Sequence, residues 1–227
     1  MAVRTDCDVD QAVVNSGEVV SDANLPMATP GGFMEAPPFA IPSKKLVMWL
    51  FLISDAVTFA ALLFAYGYIR NASPNWPTPF RFSPSIVNVI LMTFLLVSSS
   101  LTMLIATRAA RTADKASAIR WTLITASGGL LFALLHIREW LGLMKQGVKL
   151  FENPWGSPMF GATFFAITGL HLTHVLGGVV ALTVVALGYR RGRYGSDDLE
   201  TWSLYWHFVD LVWMFVVPMV YLLNVAR

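Results

Sequence analysis

Residues 85–107 contain no formally charged side chain, and the run is long enough to cross a hydrocarbon core of about 30 Å, which takes ~20 residues as a helix. Four further apolar stretches reach or pass that length, at about 46–69, 119–144, 158–189 and 199–226. Each is continuous, whereas a barrel strand alternates over about 10 residues, and a helix satisfies its own backbone in lipid. Composition agrees: 56% of residues are hydrophobic and 13% charged, with a mean hydropathy of +0.59, well away from a water-soluble domain. The expected fold is all-α, an integral membrane bundle of five transmembrane helices over residues 44–227.

Lys and Arg orient such a bundle, because positive charge is retained on the cytoplasmic side. Five crossings place Arg4, Lys44, Lys45, Arg108, Arg111, Lys115, Arg120, Arg190, Arg191 and Arg193 on one side. The other side holds only Arg70, Arg81, Lys145, Lys149 and Arg227. The N-terminus is therefore expected in the cytoplasm and the C-terminus outside. Residues 1–43, rich in proline, acidic and small residues, read as an extended tail. They lack the basic and apolar regions of a secretory signal, so the first membrane helix is expected to act as its own insertion signal. The single cysteine, Cys7, excludes an intramolecular disulfide and a thiolate metal cluster built by this chain alone. A net charge of +2 gives no case for nucleic acid.

An ionisable group at mid-membrane costs about 2.5–3.5 kcal/mol and faces protein or a water-filled cavity. Here such groups come in pairs at i, i+3, which share one side of a helix: His136 with Glu139, His171 with His174, and His207 with Asp210. Asp55 stands alone in the first span. A rise of about 1.5 Å per residue puts Asp55 and His207 at a similar depth, roughly 12–14 Å from the cytoplasmic helix ends. They would be neighbours if the first and last helices pack together. His171 and His174 fall near the middle of the fourth helix, and His136 and Glu139 toward the outer end of the third.

Three readings of these groups follow. Bundles build carboxylate-bridged di-iron centres from such pairs, but with Glu before His and with more glutamates, whereas "HIRE" and "HFVD" run the other way. Interhelical hydrogen bonds, each worth about 1 kcal/mol or less, explain any one residue alone. Buried carboxylates with nearby histidines also suit proton buffering or lipid head groups, and Asp55 and His207 fit that reading best. Small residues mark close helix contacts at Ser98, Ser99, Ser100, Gly128, Gly129, Gly177 and Gly178. Trp49, Trp206 and Trp213 are expected at helix contacts, and Trp76, Trp121, Trp140, Trp155 and Trp202 as interfacial anchors. Pro218 is expected to kink the last helix or to mark a position lined by protein.

Three ordered motifs resemble subunit III of the haem-copper terminal oxidases, over about residues 46–223. "WLFLISDAVTFAALLFAYGYI" is similar to that family's first shared helix, "GSPMFGATFFAITGLHLTHVLGGVVAL" to its Gly-Ser, Thr-Gly and His-x-x-His-Val segment, and "YWHFVDLVWMFV" to its last-helix signature. The family's Gln-x-x-Glu-Tyr stands here as "HIREW", so Glu139 matches while His136 and Trp140 depart. The mitochondrial type has seven helices, with a lipid cleft between the first two and the rest. This chain, with five, resembles the shorter bacterial forms.

The resemblance implies a non-catalytic subunit that binds no metal or haem. It would pack mainly on subunit I of an oxidase that reduces dioxygen to water and pumps protons, in the bacterial plasma membrane. Subunit II, a small subunit IV and a larger respiratory assembly are the further partners, with haem and copper in partner subunits and phospholipid bound. Asp55, His207, Asp210 and Glu139 would be the buried groups linked to protons and lipid; His136, His171 and His174 would form a structural polar network. An accessory subunit of a nitric-oxide reductase and an independent proton or ion carrier are the competing readings.

Overall fold

The structure, a computed structural model, describes residues 42–80, 85–152 and 154–225. The tail expected over 1–43 lies outside the described residues apart from Pro42 and Ser43. Five helices follow: α1 (Ser43–Ala72), α2 (Val87–Arg111), α3 (Lys115–Lys145), α4 (Met159–Arg190) and α5 (Ser196–Val216). Each is long and apolar enough to cross a membrane, α5 together with its continuation to Asn224. This is the all-α, five-span fold expected of the sequence, and the chain is a multi-pass membrane protein. α1 and α3 outrun the apolar stretches that announce them at both ends, and α2 at its C-terminal end, where charged residues continue the helix and hydropathy no longer reports it; α4 matches its stretch to within one residue.

α2, α3, α4 and α5 form a ring in which each helix packs on the next and α5 closes back on α2, while α1 lies outside against α4 and α5. α1 is accordingly the least buried span. Leu52, Phe59, Leu63 and Tyr66 face the bundle, and Trp49, expected at a helix contact, is on the exposed side with Val57 and Phe64.

The ring closes tightly because of small residues around one large one. The fully buried Trp206 indole of α5 lies against Gly129 of α3 and Gly178 of α4. A Cβ at Gly129 would overlap its ring, and one at Gly178 would sit 2.9 Å from it. Its Nε1 donates to the Ser99 hydroxyl of α2 at 3.0 Å. One side chain thus touches all three neighbours, at positions where the sequence marks close approach.

The two ends of the bundle are tied differently. At the α1 N-terminal end, Glu200 of α5 accepts from Lys45 of α1 at 2.7 Å and from Arg111 of α2 at 2.6 Å, and Lys44 pairs with Asp198 at 2.6 Å. Asp198 also reaches back to the Gly195 N–H at 2.9 Å, satisfying one of the orphan amides at the start of α5. Asp114 caps α3, and hydrogen bonds from the Ser117 hydroxyl and amide hold its carboxyl below the usual range.

At the opposite end α5 does not finish as an α-helix. Pro218 has no N–H to offer the preceding turn, and the backbone widens into a π-helical turn over Val217–Tyr221, then tightens into a 3₁₀ turn over Leu222–Asn224. At Pro218, where the sequence predicts a kink or a position lined by protein, the structure has this π-helical turn. It delivers Tyr221 and Asn224, both buried, into the core. Asn224 uses its whole amide: Oδ1 accepts from Arg70 Nε at 3.1 Å and Trp76 Nε1 at 3.0 Å, and Nδ2 donates to the Tyr66 hydroxyl and, at 2.7 Å, to the Val220 carbonyl. That is the full capacity of the group, and it binds α1 and its following loop to the end of α5.

Candidate functional site: buried polar groups between the helices

Asp55 of α1 meets His174 of α4, with Oδ1 and Nε2 3.2 Å apart. The other ring nitrogen, Nδ1, lies 2.7 Å from the Leu170 carbonyl. A carbonyl only accepts, so Nδ1 carries a proton. The Nε2–Oδ1 contact then requires one further proton, held either by the imidazole or by the carboxyl. Asp55 and His174 are therefore a one-proton pair. That proton can rest on either atom without moving a heavy atom, and the second carboxyl oxygen, Oδ2, is left without a protein partner. The edge of the Phe59 ring packs on His174 at 5.4 Å, and the Tyr205 hydroxyl of α5 donates to the His174 carbonyl at 2.9 Å, so three helices hold the pair.

A mostly apolar cavity of about 690 Å³ lies beside it, between α1, α4 and α5. Lys44 and Asp198 line it at the charged end of the bundle, and Phe51, Gly177 and Tyr205 within the span. Phe51 is one turn from Asp55, and Gly177 one turn from His174, so the cavity comes within about a turn of the pair on its Lys44 side.

His207 does not meet Asp55. It faces α2, where Ser100 stands between it and Asp210: the Ser100 hydroxyl donates to Asp210 Oδ2 at 2.7 Å, and His207 Nδ1 lies 3.2 Å from Ser100 Oγ. Ser100 has one hydroxyl proton and has given it to the carboxylate, so Nδ1 is the donor and Nε2 the free acceptor. The reason is azimuth. Successive helical residues turn by about 100°, and with Tyr205 on His174 and Trp206 filling the ring, His207 is carried round to α2.

Glu139 accepts from the Tyr221 hydroxyl at 3.3 Å and lines a cavity of about 350 Å³ between α2 and α3. His136 and His171 are fully buried around Trp213, whose indole stacks on His171 at 5.0 Å and meets His136 at 5.5 Å in an edge-on arrangement. The polar set thus divides into separate groups, and His174 stands with Asp55, apart from His136 and His171. Among the described residues no three His, Cys, Asp or Glu side chains come together as a metal site.

Tyr221 and Asn224 are absent from the sequence-based candidates, and Ser100 stands there only as a small residue at a helix contact. Ser100 was readable as a hydroxyl in the same apolar span as two other serines, and Asn224 as an amide within an apolar segment, where an unpaired polar group is costly. Tyr221 carried no such signal, because its placement depends on the π-helical turn.

Comparison with known proteins places these motifs. The model of the family described as cytochrome c oxidase subunit III matches residues 38–225. Quinol oxidase subunit 3 of Bacillus subtilis is 31% identical over 185 residues, covering 80% of this chain and 87% of that protein. Cytochrome c oxidase subunit 3 of Alkalihalophilus pseudofirmus is 30% identical over 190 residues, covering 81% and 88%. The Synechocystis protein of the same name is 31% identical over 178 residues, covering 77% and 73%. A match over nearly the whole described bundle, shared by relatives of similar length, makes this chain a member of the cytochrome c oxidase subunit III family.

Proposed function

We propose that the chain is the accessory subunit of a terminal oxidase that reduces dioxygen to water and pumps protons, and that it supports proton uptake and binds phospholipid beside the catalytic subunit. Haem and copper belong, in this reading, to partner subunits: subunit I as the main contact, subunit II, and a small subunit IV. The complex sits in a bacterial plasma membrane, with the Lys44 end of the bundle in the cytoplasm and the C-terminus outside. The relatives include a quinol oxidase subunit and cytochrome c oxidase subunits, consistent with a part whose role does not depend on the electron donor.

The observation that carries the proton role is the Asp55–His174 pair. His174 is fixed by the Leu170 carbonyl and Asp55 by His174, so the pair holds its shared proton in a defined place. Oδ2 is the remaining acceptor through which a proton enters or leaves. The two side chains are largely enclosed, 11% exposed for Asp55 and 16% for His174, and Oδ2 itself is buried. His207 and Asp210, joined through Ser100, and Glu139 with Tyr221 are the other protonatable groups of this role, and His136 and His171 its structural core.

The lipid role rests on the cavity beside the pair. Its 690 Å³ lies within the ~300–1,000 Å³ typical of ligand sites. Its walls suit an acyl chain, and Lys44, whose side chain is 70% exposed, suits a phosphate at the mouth.

Asp55→Asn tests the proton role, since the amide keeps a hydrogen bond to His174 but cannot exchange the proton. The oxidase complex carrying it is expected to retain its haem and copper and to lose activity faster during turnover than the wild type. His174→Gln is expected to do the same. An inactivation course unchanged in both variants would remove the pair from proton uptake.

A further inference from the structure

His136 of α3 and His171 of α4 have no accessible surface, and neither nitrogen of either ring has a protein hydrogen-bond partner. Two polar atoms of the adjoining α3 turn share that condition: Trp140 Nε1 and Glu139 Oε1. Buried polar groups without a partner are rare in native proteins, and when protein does not satisfy them ordered water does. The two imidazoles and the Trp140 indole share one aromatic cluster, and Glu139 adjoins it through Tyr221, whose ring lies 5.8 Å from that of Trp213 and whose hydroxyl donates to Glu139 Oε2. Trp140 packs edge-on against His136 at 5.5 Å, both imidazoles lie on Trp213, and Phe132 touches both, at 5.6 and 5.7 Å.

Their chemistry is complementary to water. Each neutral imidazole offers one donor and one acceptor, the indole one donor, and the carboxyl one free oxygen. An internal water needs two to four polar partners, and this set supplies both kinds. We propose that the core between α3, α4 and the end of α5 is a hydrated site, in which ordered water molecules bind His136, His171, Trp140 Nε1 and Glu139 Oε1. Glu139 is its boundary: it also lines the cavity of about 350 Å³ between α2 and α3, with Arg138, Asn88 and Gln146. Water exchanges through that side, and the two buried imidazoles are thereby connected to the exterior.

The chain has only four histidines, which makes a direct test practicable. The full chain, with a tag free of histidine, is labelled with ¹⁵N-histidine and placed in lipid bilayers, and magnetisation transfer from water to the imidazole nitrogens is measured by solid-state NMR. His136→Gln and His171→Gln assign the two lines by their disappearance. The expected result is rapid transfer to both rings, comparable with that to the half-buried His207, and ¹⁵N shifts of hydrogen-bonded imidazole. Absence of transfer to both, or transfer to only one, overturns the shared hydrated site. The test needs no partner subunit, so its outcome is independent of the oxidase reading.

Discussion

Gly129→Ala is expected to destabilise the bundle by about 1–3 kcal/mol, the usual cost of overpacking a filled core, and Gly142→Ala on the same helix is expected to cost nothing. The added atom is the same in both. At Gly129 it overlaps the Trp206 ring and comes within 2.9 Å of Val179, whereas at Gly142 nothing lies within 4 Å. The indole has no room to retreat, because it is wedged against Gly178 on the other side and anchored to Ser99. Thermal unfolding of the purified chain in detergent checks the pair. Equal midpoints for the two variants would mean that the α3–α4–α5 contact is looser than the geometry indicates.

The second large effect belongs to Asn224. Asn224→Ala removes the acceptor shared by Arg70 and Trp76 and the donor to Tyr66. Arg70 keeps a bond to the Leu223 carbonyl at 2.8 Å, but the Trp76 indole and the Tyr66 hydroxyl lose a partner. The expected cost is ~2–3 kcal/mol, at the level of buried groups left unsatisfied. Asn224→Asp, which retains the acceptors and loses the donors, is expected to fall between. Limited proteolysis of the loop between α1 and α2 should accelerate in the same order; a loop cut no faster in Asn224→Ala would show that the amide does not hold it.

What was legible in the sequence followed from quantities that accumulate along one helix. Hydropathy announced five spans, and i, i+3 spacing put His207 and Asp210 on one side, where the structure joins them through Ser100. Small residues marked the contacts around Trp206. Partners across helices were less legible, because depth can be counted from the rise per residue but the direction a residue faces cannot. Asp55 and His207 do share a level by that count, and α1 does pack on α5. Yet Asp55 turns to His174 and His207 to Ser100. The Asn224 cluster was hidden for another reason: it exists because the backbone widens at Pro218, and a π-helical turn shifts every later side chain relative to an α-helical count.

The central claim, that this chain serves a terminal oxidase, is tested most directly by purifying the tagged chain from its membranes in mild detergent. An optical spectrum, copper and iron analysis and oxygen uptake are then measured on the same sample. The account predicts that haem and copper arrive in partner subunits and that the sample consumes oxygen. A chain that arrives alone, free of haem, and moves protons or ions by itself when placed in liposomes would contradict it.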